Sequence, residues 1–402
     1  MWRAASRARQ LATSPAAGRA DMFSGPLETP SLSFGEKLIA FNWLFVVLIT
    51  SLVCVGAAAL YSVAGGSLDP WAETHIIRYC LGLGLLFVVA LTDIKIWLRL
   101  AYPVYLVALV LLIAVPFVGV DSGGAQRWLQ FGSYNFQPAE LMKVALVLAL
   151  ARYYEWLPPK HMSNPLALIT PAVMIAVPVV LVVLQPDLGT AVLFAAVGSG
   201  LLFLAGASWI YFVFGIAGIM GAIPFVWHSL HDYQKARVMT FIDPDKDPLG
   251  AGYHILQSKI ALGSGGVTGK GYMKGTQSQL NFLPEKHTDF IFTMFAEEMG
   301  FVGSLSLLAV YLLVLLAIVY MALRCRSQFA RLVAAGVGIT MFVYVFINVA
   351  MVMGLVPVVG VPLPLVSYGG TSMITLMFGF GLVLNAHVHR KVMFRPHEIG
   401  IV

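Results

Sequence analysis

The feature that most constrains this chain is a succession of apolar runs, each about twenty residues long and nearly free of charge, between residues 38 and 388. A helix rises about 1.5 Å per residue, so roughly 20 such residues cross a hydrocarbon core about 30 Å thick. Lipid offers no water to unpaired backbone groups, and uniform runs of this length therefore predict helices. A membrane β-barrel would instead need short alternating segments. Composition agrees, because 59% of the 402 residues are hydrophobic and 11% charged, against about 25% charged in a soluble domain. The expected fold class is an all-α polytopic membrane protein.

Hydropathy predicts about ten transmembrane helices, near 38–64, 76–92, 100–120, 139–157, 166–184, 188–206, 209–228, 300–323, 330–355 and 368–388. The net charge of +6 does not point to nucleic acid, since the basic residues sit at the ends of the apolar runs. Lys95 and Arg99, Arg152 and Lys160, Arg324, Arg326 and Arg331, then Arg390, Lys391 and Arg395 fall in alternate loops. The positive-inside rule makes those loops cytoplasmic and, with an even number of spans, both termini as well. One large hydrophilic segment, about 229–299, then faces outward. The expected organisation is a basic cytoplasmic tail over 1–35, a membrane domain over 36–391 and a short cytoplasmic tail over 392–402. Arg3, Arg7, Arg9 and Arg19 give the first stretch the composition of either a transit peptide or a basic tail. Cys54, Cys80 and Cys325 are scattered and suggest no disulfide framework.

Ionisable residues next to lipid are functional candidates. Pro284-Glu285-Lys286-His287-Thr288-Asp289-Phe290 sets several of them directly before an apolar run, at the outer face. A carboxylate at a partly desolvated boundary resists ionisation, which suits a general base near neutral pH. Helix capping by Thr288 or Asp289 explains the same residues equally well. Glu140 and Lys143 lie three apart within a span and fit either a structural ion pair or, through Lys143, a site for an anionic diphosphate. Asp187, in Gln185-Pro186-Asp187-Leu188-Gly189-Thr190, opens a span as an acidic cap would.

Other stretches suggest weaker chemistry. Asp243, Asp245 and Asp247 alternate like calcium ligands, but Pro248 and His254 stand where such a loop needs Gly and Glu. The glycines between Gly263 and Gly271, with Lys270 or Lys274, suit either a phosphate cradle or a flexible loop. Tyr253 to Leu262 reads as a short helix lying on the membrane surface. Pro362 to Ser372 reads as packing by small residues and prolines. Asn348, His387 and His389 read as satisfied structural groups rather than metal ligands.

Taken in order, four motifs resemble the SEDS family of shape, elongation, division and sporulation proteins, over nearly the whole chain after about residue 35. They are Ala125-Gln126-Arg127-Trp128 with Gln137-Pro138-Ala139-Glu140, the Gln185–Thr190 run, Pro284 through Phe290, and Pro364-Leu365-Val366-Ser367-Tyr368-Gly369-Gly370. The run from Gln277 to Asp289 is similar to the elongation branch rather than the division branch. Ala139 departs from a motif in which many members carry Ser.

The resemblance implies a ten-helix SEDS fold in the bacterial inner membrane, with one large extracytoplasmic loop and an active site facing the periplasm. It implies a peptidoglycan glycosyltransferase that polymerises lipid II and releases undecaprenyl diphosphate. Asp289 is then the expected catalytic residue, with Arg127, Glu140, Lys143, Lys259 and His287 as binding or electrostatic support. A divalent cation, Mg or Mn, is the one cofactor to consider. The implied partners are a class B penicillin-binding protein, the transpeptidase, and the wider elongation complex. A lipid II flippase and a non-catalytic scaffold are the alternative readings.

Overall fold

The computed structural model describes residues 33–122, 125–131, 134–229, 235, 239–241, 243, 251–279 and 285–394. The terminal stretches 1–32 and 395–402, and Asp245 and Asp247 of the aspartate run, lie outside the described residues. Helix α1, Phe34–Ile39, belongs to a unit of its own. A capping box starts it, with the Ser33 N–H donating to Glu36 Oε2 at 2.7 Å and the Glu36 N–H to Ser33 Oγ at 3.4 Å.

The second unit, from Ala40 onward, is a helical bundle. Its first helices are α2 Trp43–Val63, α3 Ala72–Leu91, α4 Ile94–Val118, α5 Pro138–Trp156, α6 Pro165–Leu184, α7 Leu188–Ala205 and α8 Trp209–Ser229. There follow α9 Ala251–Ser264, the single turn α10 Thr276–Gln279, α11 Ile291–Leu323, α12 Gln328–Val352 and α13 Thr371–Val388. Polar residues fix several of the starts. Side-chain oxygens of Asn42, Asp93, Asn164, Asp187 and Ser327 accept first-turn N–H groups of α2, α4, α6, α7 and α12, meeting donors that lipid would leave orphaned.

Eight of these helices, α2, α3, α4, α6, α7, α11, α12 and α13, are long and apolar enough to cross a membrane. The remaining two expected spans are α5 and α8, so length and apolarity alone do not reach the count of ten. For α5 the reason is physical. It carries Glu140, Lys143, Arg152 and Glu155 and is enclosed by α4, α7 and α12, where its charges meet protein rather than lipid. Other helices turn Leu106, Val107, Val110, Leu312, Leu313 and Leu316 outward, an apolar belt suited to acyl chains and not to water.

The structure departs from the sequence expectation in three places. A small antiparallel sheet, β1 Val120–Ser122, β2 Ala125–Phe131 and β3 Tyr134–Phe136, joins α4 to α5. Helix α11 starts at Ile291, so the expected loop over 229–299 gives way to buried helix in its last nine residues. A break at Gly300 (φ 67°, ψ −165°) separates that first piece from the long span. Finally, α9 does not lie free on a surface. Its Ser258 hydroxyl is fully buried, 2.8 Å from Thr293 Oγ1 of α11 and donating to the Val352 carbonyl of α12 at 2.9 Å.

Candidate active site

Residues 285–290 form a turn leading into α11, and the helix takes Phe290, not Thr288 or Asp289, as its cap residue. The Thr288 hydroxyl instead donates to Glu285 Oε2 at 2.8 Å. Three successive carbonyls of this turn are held from elsewhere in the fold. His287 O accepts the Tyr368 N–H at 2.9 Å, Thr288 O accepts the Ser367 hydroxyl at 2.6 Å, and Asp289 O accepts Asn348 Nδ2 at 2.9 Å. From a fourth side, Lys286 Nζ donates to the Val63 carbonyl at the end of α2 at 3.2 Å. The Asp289 side chain is half-buried beside Gly360, where an added Cβ would stand 3.3 Å from Oδ2.

Helix α12 carries the next link. Asn348 also donates to Val361 O at 2.7 Å, and Tyr344 lies one turn earlier on the same helix face. The Tyr344 hydroxyl reaches both Glu140 carboxylate oxygens, at 3.2 and 3.3 Å, and hydrogen-bonds Lys143 Nζ. Lys143 pairs with Glu140 Oε1 at 2.7 Å, and all three side chains are buried. The Asp289 turn and the Glu140–Lys143 pair are thus fastened about 6 Å apart along one helix axis.

The other expected support residues are distributed differently. Arg127, on β2, donates to the Pro186 carbonyl at 2.5 Å. It helps fix the approach to α7, where Asp187 accepts the Thr190 N–H at 3.2 Å and hydroxyl at 2.9 Å. No contact among the described residues brings Arg127 to Asp289. Lys259 is exposed on α9, and its chain lies over Gly354 just past α12. His287 stacks on Trp71, with ring centroids 4.5 Å apart and an interplanar angle of 11°, and lies 5.8 Å from the Tyr368 ring. Burial lowers the His287 pKa, against a smaller opposing pull from Glu285, and burial also lowers that of Lys286.

The glycine run is neither a phosphate cradle nor a loose loop. Gly265 and Gly269 press backbone against the first piece of α11, where an added Cβ would meet Ala296 O and Glu298 O respectively. The Lys270 and Gly271 N–H groups donate to Glu297 O and Glu298 O at 3.1 and 3.0 Å. Lys270 Nζ is committed to buried Glu297 at 2.6 Å, a carboxylate that also accepts from Thr276 and Gln277. Among the described residues no three His, Cys, Asp or Glu side chains gather as a metal set.

Sequence reasoning missed Tyr344, Trp71 and Arg78, treated Ser367 and Tyr368 as packing, and read Asn348 as a satisfied structural group without finding its partners. A tyrosine four residues before an intramembrane asparagine was the available signal for Tyr344. For the others the contacts join residues far apart in the chain.

The sequence profile of the FtsW, RodA and SpoVE family, described as cell cycle protein, matches residues 36–392. The chain belongs to the SEDS family. Among SEDS relatives it is 46% identical over 366 residues to the peptidoglycan glycosyltransferase MrdB of Escherichia coli K12, covering 90% of this chain and 97% of that one. Against the probable peptidoglycan glycosyltransferase FtsW of Thiomicrospira cyclica the identity is 39% over 349 residues, covering 84% and 89%. These values agree with the elongation-branch resemblance of residues 277–289. Among solved SEDS structures, one reported under "Structural coordination of polymerization and crosslinking by a peptidoglycan synthase complex" matches with TM-score 0.76 at 34% identity, covering 87% of this chain and 98% of that one. The rod shape determining protein RodA of Thermus thermophilus matches with TM-score 0.67 at 30% identity, covering 87% and 97%.

Proposed function

We propose that this chain is a peptidoglycan glycosyltransferase of cell elongation and rod-shape maintenance, polymerising lipid II at the outer face of the inner membrane with Asp289 as general base. The observation that carries the reading is the fixation of the Asp289 turn, whose three successive carbonyls are held by Tyr368, Ser367 and Asn348. A base must be held against the reacting group in one geometry, and such fixation supplies it before substrate arrives.

In this mechanism Asp289 takes the proton of the GlcNAc 4-hydroxyl of one lipid-linked disaccharide while that oxygen attacks the anomeric carbon of another. The new glycosidic bond forms with inversion, and the bond to the diphosphate breaks as undecaprenyl diphosphate departs. The leaving charge calls for cations. Lys259 is exposed and available to it, Lys143 is neutralised by Glu140 and acts by positioning α12, and Arg127 acts through the Pro186 segment. His287, whose protonation burial disfavours, is an auxiliary hydrogen-bonding group for a sugar hydroxyl. Any Mg or Mn would arrive on the diphosphate, which chelation of the purified enzyme tests.

The reading includes a class B penicillin-binding protein as partner, supported by the synthase-complex relative, within a wider elongation complex. The loop charges support cytoplasmic termini and a periplasmic Asp289. The test supplies labelled lipid II to the chain purified with its transpeptidase partner. Asp289→Ala and Asp289→Asn are expected to lose polymer about 100-fold or more with the complex intact. Undiminished polymer would remove Asp289 from the mechanism, and lipid II flipping in liposomes without polymer would favour a transporter.

A further inference from the structure

Arg78, near the start of α3, has a guanidinium that no ion pair among the described residues neutralises. It sits over the Tyr368 ring, 4.6 Å from the centroid, and faces Gly370, where an added Cβ would lie 3.6 Å from Cζ and 3.7 Å from each terminal nitrogen. One terminal nitrogen, Nη1, is buried without a hydrogen-bond partner. The neighbouring Thr371 hydroxyl is likewise buried and without one. A donor-rich planar group that faces Gly370 with an unmet buried donor, where the next residue of the chain also has an unmet hydroxyl, is costly unless a ligand completes it.

The chemistry selects the ligand. A guanidinium fork matches the paired oxygens of a phosphate, and the stack on Tyr368 keeps its plane fixed. Thr371 opens α13, an 18-residue helix whose Gly370 cap residue makes no side-chain cap bond, so the helix start adds favourable potential for an anion. The place also suits the reaction. Tyr368, under the guanidinium, donates its N–H to His287 O, two residues before Asp289. Of the other cations, Lys143 is paired with Glu140 and Lys270 with Glu297, Arg127 donates to the Pro186 carbonyl, and Lys259 lies exposed on α9 as a second cation for the diphosphate.

We infer that Arg78, with Thr371 and the start of α13, forms a phosphate subsite that grips the diphosphate of a lipid-linked substrate or product beside the Asp289 turn. This rests on the glycosyltransferase reading for the identity of the lipid, but its test needs no turnover. Binding of fluorescent undecaprenyl diphosphate and of undecaprenol is measured on the chain purified with its transpeptidase partner. The wild type is compared with Arg78→Gln and Arg78→Lys.

Arg78→Gln is expected to weaken diphosphate binding at least tenfold while leaving undecaprenol unchanged. Arg78→Lys should recover part of the loss. Equal diphosphate affinity in Arg78→Gln, or equal loss for both lipids, overturns the subsite. If Arg78→Gln yields no complex, Arg78→Lys carries the measurement, with the same two outcomes deciding. Repetition in nanodiscs rich in phosphatidylglycerol separates the sources of phosphate: an Arg78 effect that disappears there assigns the site to phospholipid headgroups and overturns the proposal. Wild type that binds through Arg78 yet makes no polymer would sink the enzymatic reading alone.

Discussion

Asn348 donates from one amide nitrogen to two carbonyls, Asp289 O and Val361 O, and so ties the turn bearing Asp289, the proposed base, to the segment on its other side. Its removal leaves two acceptors short of a donor, at a cost of about 1–3 kcal/mol. Asn348→Ala is expected to lower kcat for polymerisation about tenfold or more, with a smaller change in KM and a measurably lower unfolding midpoint in detergent. Full kcat in a destabilised variant would show that the carbonyl contact does not position Asp289. An asparagine inside an apolar run is visible in the sequence, yet its partners lie 59 and 13 residues away and no local pattern encodes them.

At the scale of elements, the first piece of α11 is set by its break. Gly300 holds φ 67° and ψ −165°, a conformation essentially reserved to glycine, and an added Cβ would meet Gly269 N at 2.2 Å. Gly300→Ala is expected to cost at least about 1–3 kcal/mol and to open residues 265–271 to limited proteolysis. Gly263→Ala, where an added Cβ meets nothing within 4 Å, should leave both properties unchanged; equal effects would deny the clamp its role. The helices themselves were legible from their apolar runs, and Asp187 from its position as an acidic cap, whereas the caps Asn42 and Ser327 emerged only in the structure. The clamp was not legible, because glycine marks loops and close backbone contacts alike. The strands escaped notice because β1 and β3 have three residues each and the seven of β2, Ala-Gln-Arg-Trp-Leu-Gln-Phe, do not alternate polar with apolar.

For the whole molecule, a count of ten spans requires that α5 and α8 cross the membrane beside the eight long apolar helices. If both do, residues near Lys160 and Arg326 face one side, and those near Asp69 and Gly275 face the other. Single cysteines at these positions, in a variant lacking Cys54, Cys80 and Cys325, are expected to react with an impermeant maleimide in two opposite groups. Reaction of Lys160→Cys and Gly275→Cys from the same side would remove one crossing. The candidate base was legible as a residue type at a boundary, but its supports belong to the global arrangement. That arrangement has a temporal side. The turn at 287–289 waits for Asn348, Ser367 and Tyr368, and the Thr288–Ser367 contact spans 79 residues. At about 5–20 residues per second, translation needs roughly 4–16 s to deliver the rest. A nascent chain therefore contains Asp289 for several seconds before the residues that hold its turn, and the proposed site is assembled only with the last two helices, α12 and α13.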